Sequence, residues 1–404
     1  MQRREFLRNP ALAAIAVLPL PEDSLYQRDA EAYWRQVRQE QFLLPDWRAY
    51  LNTGSVGSAP RPVLKAAAEA MENGASYQGD SYPRWGYEPV VELRRELAEF
   101  CGANTEEIAI THNATESMNF AVNGLNLRRG DEVLITDQEH PSGRGPWKLR
   151  AMRQAIRIRE VALPIPPQSS EQLAATVLGA LRPSTKVLSI SGITTHTGLL
   201  LPVHTICREA RRRGIITIVD GAHMPGQVPV NLREIGCDIF AASLHKWMLT
   251  PPGCGFLFVR QDFQKNLWPT VVVEGWEKNT DAVKYMLLGC NNIAEIQGAR
   301  EALRFIQSIG RERIQKRIHE LARYTWQQAA AIPYLRLLSA AGDSLYGGMV
   351  AFAAPGKDYA PMWAKLAENK VWTLRGEKIR VSCHIHTRKS DIDLLFKSLR
   401  EVWG

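Results

Sequence analysis

The chain of 404 residues and 45.4 kDa is too long for one minimal domain and long enough for two domains or one large α/β unit with an appendage. Its 45% apolar and 23% charged residues, with a mean hydropathy of -0.23, describe a folded, soluble body and exclude a multi-span membrane protein or a disordered chain. The net charge of +8 does not point to nucleic acid. Its densest clusters, Arg208 with Arg211, Arg212 and Arg213, and Arg311 with Arg313, Lys316 and Arg317, fall at helical spacing without interleaved aromatics and read as solvated helix faces.

Residues 1–24 read as a twin-arginine export signal: Arg3-Arg4-Glu5-Phe6-Leu7 precedes the small, apolar stretch Ala11 to Leu20, which is too short to span a bilayer. The expected location is the periplasm; the alternative is a cytoplasmic protein with a chance basic terminus. Tyr26 to Phe42 then reads as a charged helix, and Tyr50 to Gly57 as an extended segment broken by glycines. Helical stretches at Val63 to Asn73 and Val90 to Cys101 lead into apolar β-type runs at Ile108 to Thr111, Val133 to Thr136, Ile156 to Val161, Lys186 to Ser191, Ile215 to Val219 and Ile239 to Ala242. Repeated strand-helix alternation implies a largely parallel sheet covered on both faces, with ligands at the carboxyl ends of its strands. From about Ile293 the texture changes to amphipathic helix, Arg300 to Ile309 and Gln315 to Ala330, then to strand-like pieces at Met349 to Ala353 and Lys378 to Ser382. The expected organisation is a segment at 25–55 packing with the small domain, a large domain at 56–299 and a small α+β domain at 300–404.

The six cysteines, Cys101, Cys207, Cys237, Cys254, Cys290 and Cys383, form no CxxC pair or His/Cys cluster, so neither a metal site nor a disulfide scaffold is expected. Chemistry concentrates instead at two strand ends. Ile216 to Val219 opens into Asp220-Gly221-Ala222-His223, and Ile239 to Ala242 into Ser243-Leu244-His245-Lys246-Trp247. A carboxylate to keep a pyridine nitrogen protonated and a lysine to form an imine with an aldehyde are the two groups that pyridoxal phosphate requires of a protein.

These residues give the chain its resemblance to the fold-type I pyridoxal phosphate enzymes of the class V aminotransferase and cysteine desulfurase superfamily, within it the isopenicillin N epimerase-like branch. The likeness spans roughly Asn52 to Leu395 and includes Glu139-His140 with Pro146-Trp147, the segment Thr194 to Val203, and Arg380-Val381-Ser382 with Asp391-Ile392-Asp393. It implies a large domain on a mostly parallel seven-stranded sheet, a smaller α+β C-terminal domain, a homodimer and pyridoxal 5′-phosphate as cofactor. Lys246 would be the imine lysine and general base, Asp220 the partner of the pyridine nitrogen, and His140 the group stacked on the ring. Thr195 and His223 would bond the ring hydroxyl or phosphate. Ala114 and Thr115 would offer helix-start amides to the phosphate, with Ser243 and His245 as side-chain donors.

In related enzymes a Gly-Thr element of the partner subunit completes the phosphate site; here the stretch reads Gly289-Cys290-Asn291-Asn292, so Cys290 replaces the threonine and Asn291 is the alternative donor. Arg380 would grip a substrate carboxylate, with Arg375, Gly54 and Ser55 as further contacts. Arg375 and Arg380 match arginines that flank the cysteine-bearing loop of the desulfurases, but only Gly376 to Ile379 lie between them, so desulfuration or lyase chemistry is disfavoured. An amino acid or a peptide-borne amino acid is the expected substrate of an epimerase or aminotransferase type of enzyme, with epimerisation, transamination, decarboxylation and lyase chemistry left open. Epimerisation would need a second acid/base, for which His196, His112 and Tyr82 are candidates. A periplasmic siderophore-modifying enzyme and a catalytically silent cofactor-binding protein are the other readings.

Overall fold

In the computed structural model, which describes residues 15–76 and 87–404, the apolar runs form strands where their periodicity places them. In chain order these are β1 (Ala49–Tyr50), β2 (Ile108–Thr111), β3 (Glu132–Thr136), β4 (Arg157–Val161), β5 (Thr185–Ser191), β6 (Ile216–Asp220), β7 (Ile239–Ser243), β8 (Gly255–Val259), β9 (Arg336–Leu337), β10 (Met349–Ala353), β11 (Val371–Trp372) and β12 (Ile379–Ser382). Seven of them make one sheet in the order β2-β8-β7-β6-β5-β3-β4. The pairs β7/β6, β6/β5, β5/β3 and β3/β4 are parallel. β2, β3, β7 and β8 are buried along their whole length, as strands covered on both faces must be. The outer strand β4 carries Arg157, Arg159 and Glu160, charges that discourage edge pairing.

β8 departs from the sequence expectation. It runs antiparallel to both neighbours, pairing Ser243 with Gly255 and Thr111 with Gly255 at one end. Its run Phe256-Leu257-Phe258-Val259 directly follows the glycine-rich Pro251 to Gly255 turn, which masked a five-residue strand as loop. A side chain at position 255 would put its Cβ 2.4 Å from Ala242 O and 2.7 Å from the Asn113 Cα, so only glycine lets these backbones meet.

Two cores hold the chain together. The larger surrounds the seven-stranded sheet and includes Phe240, Phe256 and Trp247. The smaller packs β10 and β12 against the helices Arg311–Ala330 and Lys389–Trp403 through Val350, Phe352, Leu395 and Phe396. The rings of Phe352 and Phe396 stack 5.6 Å apart, and truncating either to alanine costs about 3–5 kcal/mol. The helix Ile293–Ile309 runs across residue 300, packs on the helix Arg61–Ser76, and buries Ala299, Leu303, Phe305 and Ile306 in the larger core.

The N-terminal segment serves both bodies. Tyr33, Trp34 and Val37 of the helix Ala30–Gln41 enter the larger core, whereas Ala49 and Leu51 enter the smaller one. Buried Arg38 donates to the carbonyls of His386 and Arg48, tying the helix to the chain leading into β1 and to the C-terminal part. β1 pairs with β11, and Asn52 bridges to Ser382, which carries residues 52–57 to the ends of β6 and β7. At Gly57 the amide donates to His245 O at 2.7 Å, and a Cβ there would come within 2.1 Å of Lys246 O. Only glycine tolerates that approach.

Candidate active site

Between the carboxyl ends of these strands and the 52–57 segment lies a cavity of about 460 Å³. It collects Gly54, Ser55, Ala114, Thr115, His140, Thr195, Asp220, His223, Ser243, His245, Lys246 and Arg380, the sequence-assigned groups that meet in one place. In-register pairing of Asp220 with Ala241 sets the ends of β6 and β7 side by side. The turns beyond those ends then deliver His223 and Lys246 to each other, with Lys246 Nζ 3.1 Å from His223 Nε2.

Burial lowers the Lys246 ammonium to about 8; Asp220 opposes the shift and the Arg380 charge adds to it. The amine is therefore accessible near neutral pH. Buried His223 is held well below its ordinary value by desolvation first, then by Lys246 and Arg380. Burial lowers His245 and His196 to about 4, helped by Lys246 in one case and by Lys378 and Arg380 in the other. His140 is lowered by burial and by Lys246, and its Nδ1 accepts from Ser142 N at 3.1 Å as the cap of the helix Pro141–Gln154. At neutral pH the imidazoles lining the cavity are uncharged, which leaves Arg380, Lys246 and Asp220 to set its field.

Asp220 Oδ1 accepts from Ala222 N at 3.0 Å, while among the described residues Oδ2 takes no donor. Beside it stands Glu139, wholly buried and pushed up to about 7 by desolvation. Its carboxyl ties the ends of β3 and β5 together, accepting from Thr136 Oγ1 at 2.6 Å and from Ser191 N and Oγ at 3.1 and 2.7 Å.

The amides assigned to the phosphate differ in how they are engaged. The Ala114 amide donates to Ser243 Oγ at 2.9 Å, and the Glu116 amide to Asn113 Oδ1 at 3.0 Å. In the first turn of the helix Ala114–Gly124 the Thr115 N–H has no partner among the described residues, whereas the Ala114 N–H is engaged by Ser243. The Thr115 hydroxyl donates to Ser142 Oγ at 2.8 Å, and among the described residues the buried His245 Nδ1 has no partner. An unengaged carboxylate oxygen, an amine near neutrality, a helix-start amide and an orphan imidazole nitrogen together fit a pyridine aldehyde bearing an anionic group.

Arg380 is more committed than its sequence reading implies. Nη1 donates to Thr195 O at 2.9 Å, and Nη2 donates to Asn52 Oδ1 at 2.9 Å and Ser55 Oγ at 3.0 Å, while the buried Nε has no partner among the described residues. A bidentate grip on a carboxylate therefore requires that the ligand displace Ser55 Oγ. Burial brings the guanidinium down to about 10.

Other assignments fall outside the cavity. Arg375 does not line the cavity: Leu374 bridges back to Arg380 and lines it, so its neighbour turns outward, with its guanidinium 5.6 Å from the Trp372 ring and 5.9 Å from the Trp363 ring. Exposed Cys290 and half-buried Asn291 stand on the loop ahead of the helix Ile293–Ile309, away from the cavity of this chain. Of the acid/base candidates, His196 lines the cavity; His112 is exposed and pairs with Glu116 at 3.0 Å, and Tyr82 lies outside the described residues, as do Arg3 and Arg4. Sequence reading missed Ser142, Ser191, Ile193 and Leu374 as lining residues. Ser142 carried a signal, since it opens the helix that His140 caps.

Among the described residues there is no cluster of His, Cys, Asp and Glu able to hold a metal and no helix long and apolar enough to cross a membrane. Residues 49–395 match the family model Aminotransferase class-V. An isopenicillin N epimerase of Amycolatopsis lactamdurans is 31% identical over 393 residues, covering 91% of this chain and 98% of that protein. A probable cysteine desulfurase of Methanothermobacter thermautotrophicus is 27% identical, covering 91% and 98%. Among solved structures, a mutant of C-DES with glycine covalently linked to its PLP cofactor superposes with a TM-score of 0.80 at 24% identity, covering 88% of this chain and 97% of that one.

Proposed function

The chain belongs to the class V aminotransferase family, and on that premise we propose that it acts at the Cα–H bond of an amino acid or peptide-borne amino acid, in the manner of the isopenicillin N epimerase-like branch. Its cofactor is pyridoxal 5′-phosphate. When bound, that group supplies an aldehyde carbon and an electron-withdrawing ring that make the Cα–H bond of an attached amino acid acidic.

The observation that carries the reading is the convergence of Lys246, Asp220 and Arg380 on one cavity. Lys246 Nζ, its ammonium lowered to about 8 by burial, would hold the aldehyde of the cofactor and would be the base that moves the Cα proton. Asp220 Oδ2 would keep a proton on the ring nitrogen. His140, fixed by Ser142 N, would cover the ring, and Thr115 N with Ser243 and His245 would receive the phosphate. Arg380, held by Thr195 O, would orient the substrate carboxylate once the ligand displaces Ser55 Oγ. His196, uncharged and on the cavity wall, is the second acid/base for inversion.

Desulfuration is a weaker reading. Leu374 N donates to Arg380 O at 3.3 Å, which closes residues 375–379 into a short reversal with no mobile cysteine loop. Cys383 is buried in the smaller core, its thiol pushed up to about 12 by desolvation. A screen of amino acids and short peptides in D₂O with cofactor-loaded protein tests the proposal. Deuterium should enter at Cα of at least one substrate, with inversion in the epimerase case, and sulfide release from cysteine should be negligible. No exchange with any amine, or cysteine as the best substrate with sulfide formed, contradicts it.

A further inference from the structure

Trp247 follows Lys246 directly, so one short segment sends the lysine into the cavity and the indole behind it. The indole is fully buried, and its N–H donates to His223 Nδ1 at 3.2 Å. It is held from several sides. Trp247 O faces His384 Nε2 at 3.1 Å, and a Cβ at Gly348 would come within 2.7 Å of the indole Cζ3.

An indole nitrogen donates and never accepts. Nδ1 of His223 must therefore keep its lone pair, which excludes the imidazolium and leaves the ring proton on Nε2. Nε2 faces two atoms of the cavity wall, Thr195 Oγ1 at 2.8 Å and Lys246 Nζ at 3.1 Å. We propose that Trp247 is a positioning residue that sets the tautomer of His223, so that His223 presents an Nε2–H donor to Lys246 and Thr195. A donor facing Nζ favours the amine over the ammonium, because an ammonium has no lone pair to receive it. Burial and the charges of Lys246 and Arg380, with His140 and His245 nearby, act on His223 in the same direction. The tautomer stands independently of the functional reading; its consequence for Lys246 rests on that reading.

Two measurements on the full-length protein decide the matter. In ¹⁵N-histidine-labelled protein without added cofactor, ring-nitrogen correlations should place the His223 proton on Nε2. In Trp247→Phe, which keeps an aromatic ring but no N–H, the Nδ1–H form should become populated. The rate of pyridoxal phosphate uptake at neutral pH, followed by absorbance, should fall several-fold in that variant, with its pH midpoint moved upward. In a His223→Leu background the same substitution should add nothing, because the effect travels through His223. An Nδ1-bound proton in the wild type overturns the proposal without need of any variant. So does an unchanged tautomer in Trp247→Phe, or an equal loss of uptake in the His223→Leu background. Failure of the wild type to take up cofactor at all would contradict the functional reading instead, and the tautomer measurement would still judge Trp247.

Discussion

Asp220 and Lys246 reach the cavity from neighbouring parallel strands of one sheet, whereas Arg380 and Ser55 meet across 325 residues of sequence. The first wall needs only that apolar strands end where polar turns begin, and the sheet does the rest. The second needs the N-terminal segment threaded against β11 and β12, with Arg38 and Gly57 securing it. On the proposed function the first wall would carry the groups for the cofactor and the second those for the substrate, so damage to one should be separable from damage to the other.

The sharpest test of that separation is Asp220→Ala. Losing a charge-assisted contact costs about 1.5–3 kcal/mol in a ground state. The rate loss should exceed this, roughly a hundredfold or more, because charge develops in the transition state. It should fall equally on carboxylated and uncarboxylated amines when Cα–H exchange is measured; exchange at the wild-type rate would refute the role.

Glu139 gives the first wall a pH signature of its own. With its folded-state value raised to about 7 from the ordinary 4.5, its contribution to stability is fully present below about 4.5 and is lost as pH rises through 7. Glu139→Gln removes that titration. Denaturant midpoints between pH 5 and 9 should then show the wild type losing on the order of 3 kcal/mol relative to the variant. Parallel curves would contradict the assignment.

Arg380→Lys probes the second wall with the smallest effect. Lysine keeps the charge but loses the fork. The KM for α-carboxylate amines should rise about tenfold, or about 1.4 kcal/mol, with little change for simple amines. Equal losses for both classes would break the distinction between the walls.

The same contrast explains what the sequence revealed. Strands β2, β3, β5, β6 and β7 were legible because short apolar runs end in turn residues, and with them the positions of Asp220, His223, Ser243 and Lys246. β8 was hidden by the glycines before it. The two-residue strands β1 and β11 carry no periodicity to read. The outward turn of Arg375 was not legible, because its resemblance to a flanking arginine says nothing of side-chain direction, which the Leu374 bridge decides. Nor was the bond of the Ala114 amide to Ser243, which lies 129 residues away in sequence. Export through Arg3 and Arg4, and completion of the phosphate site by Cys290 or Asn291 of a second copy, rest on the sequence alone.

The central claim is that Lys246 holds the cofactor. Borohydride reduction of the cofactor-loaded protein, followed by proteolysis and peptide mapping, should place one pyridoxyl group on the peptide containing Ser243 to Trp247, at Lys246. A label on any other lysine, or well-folded protein that takes up none, would contradict the account.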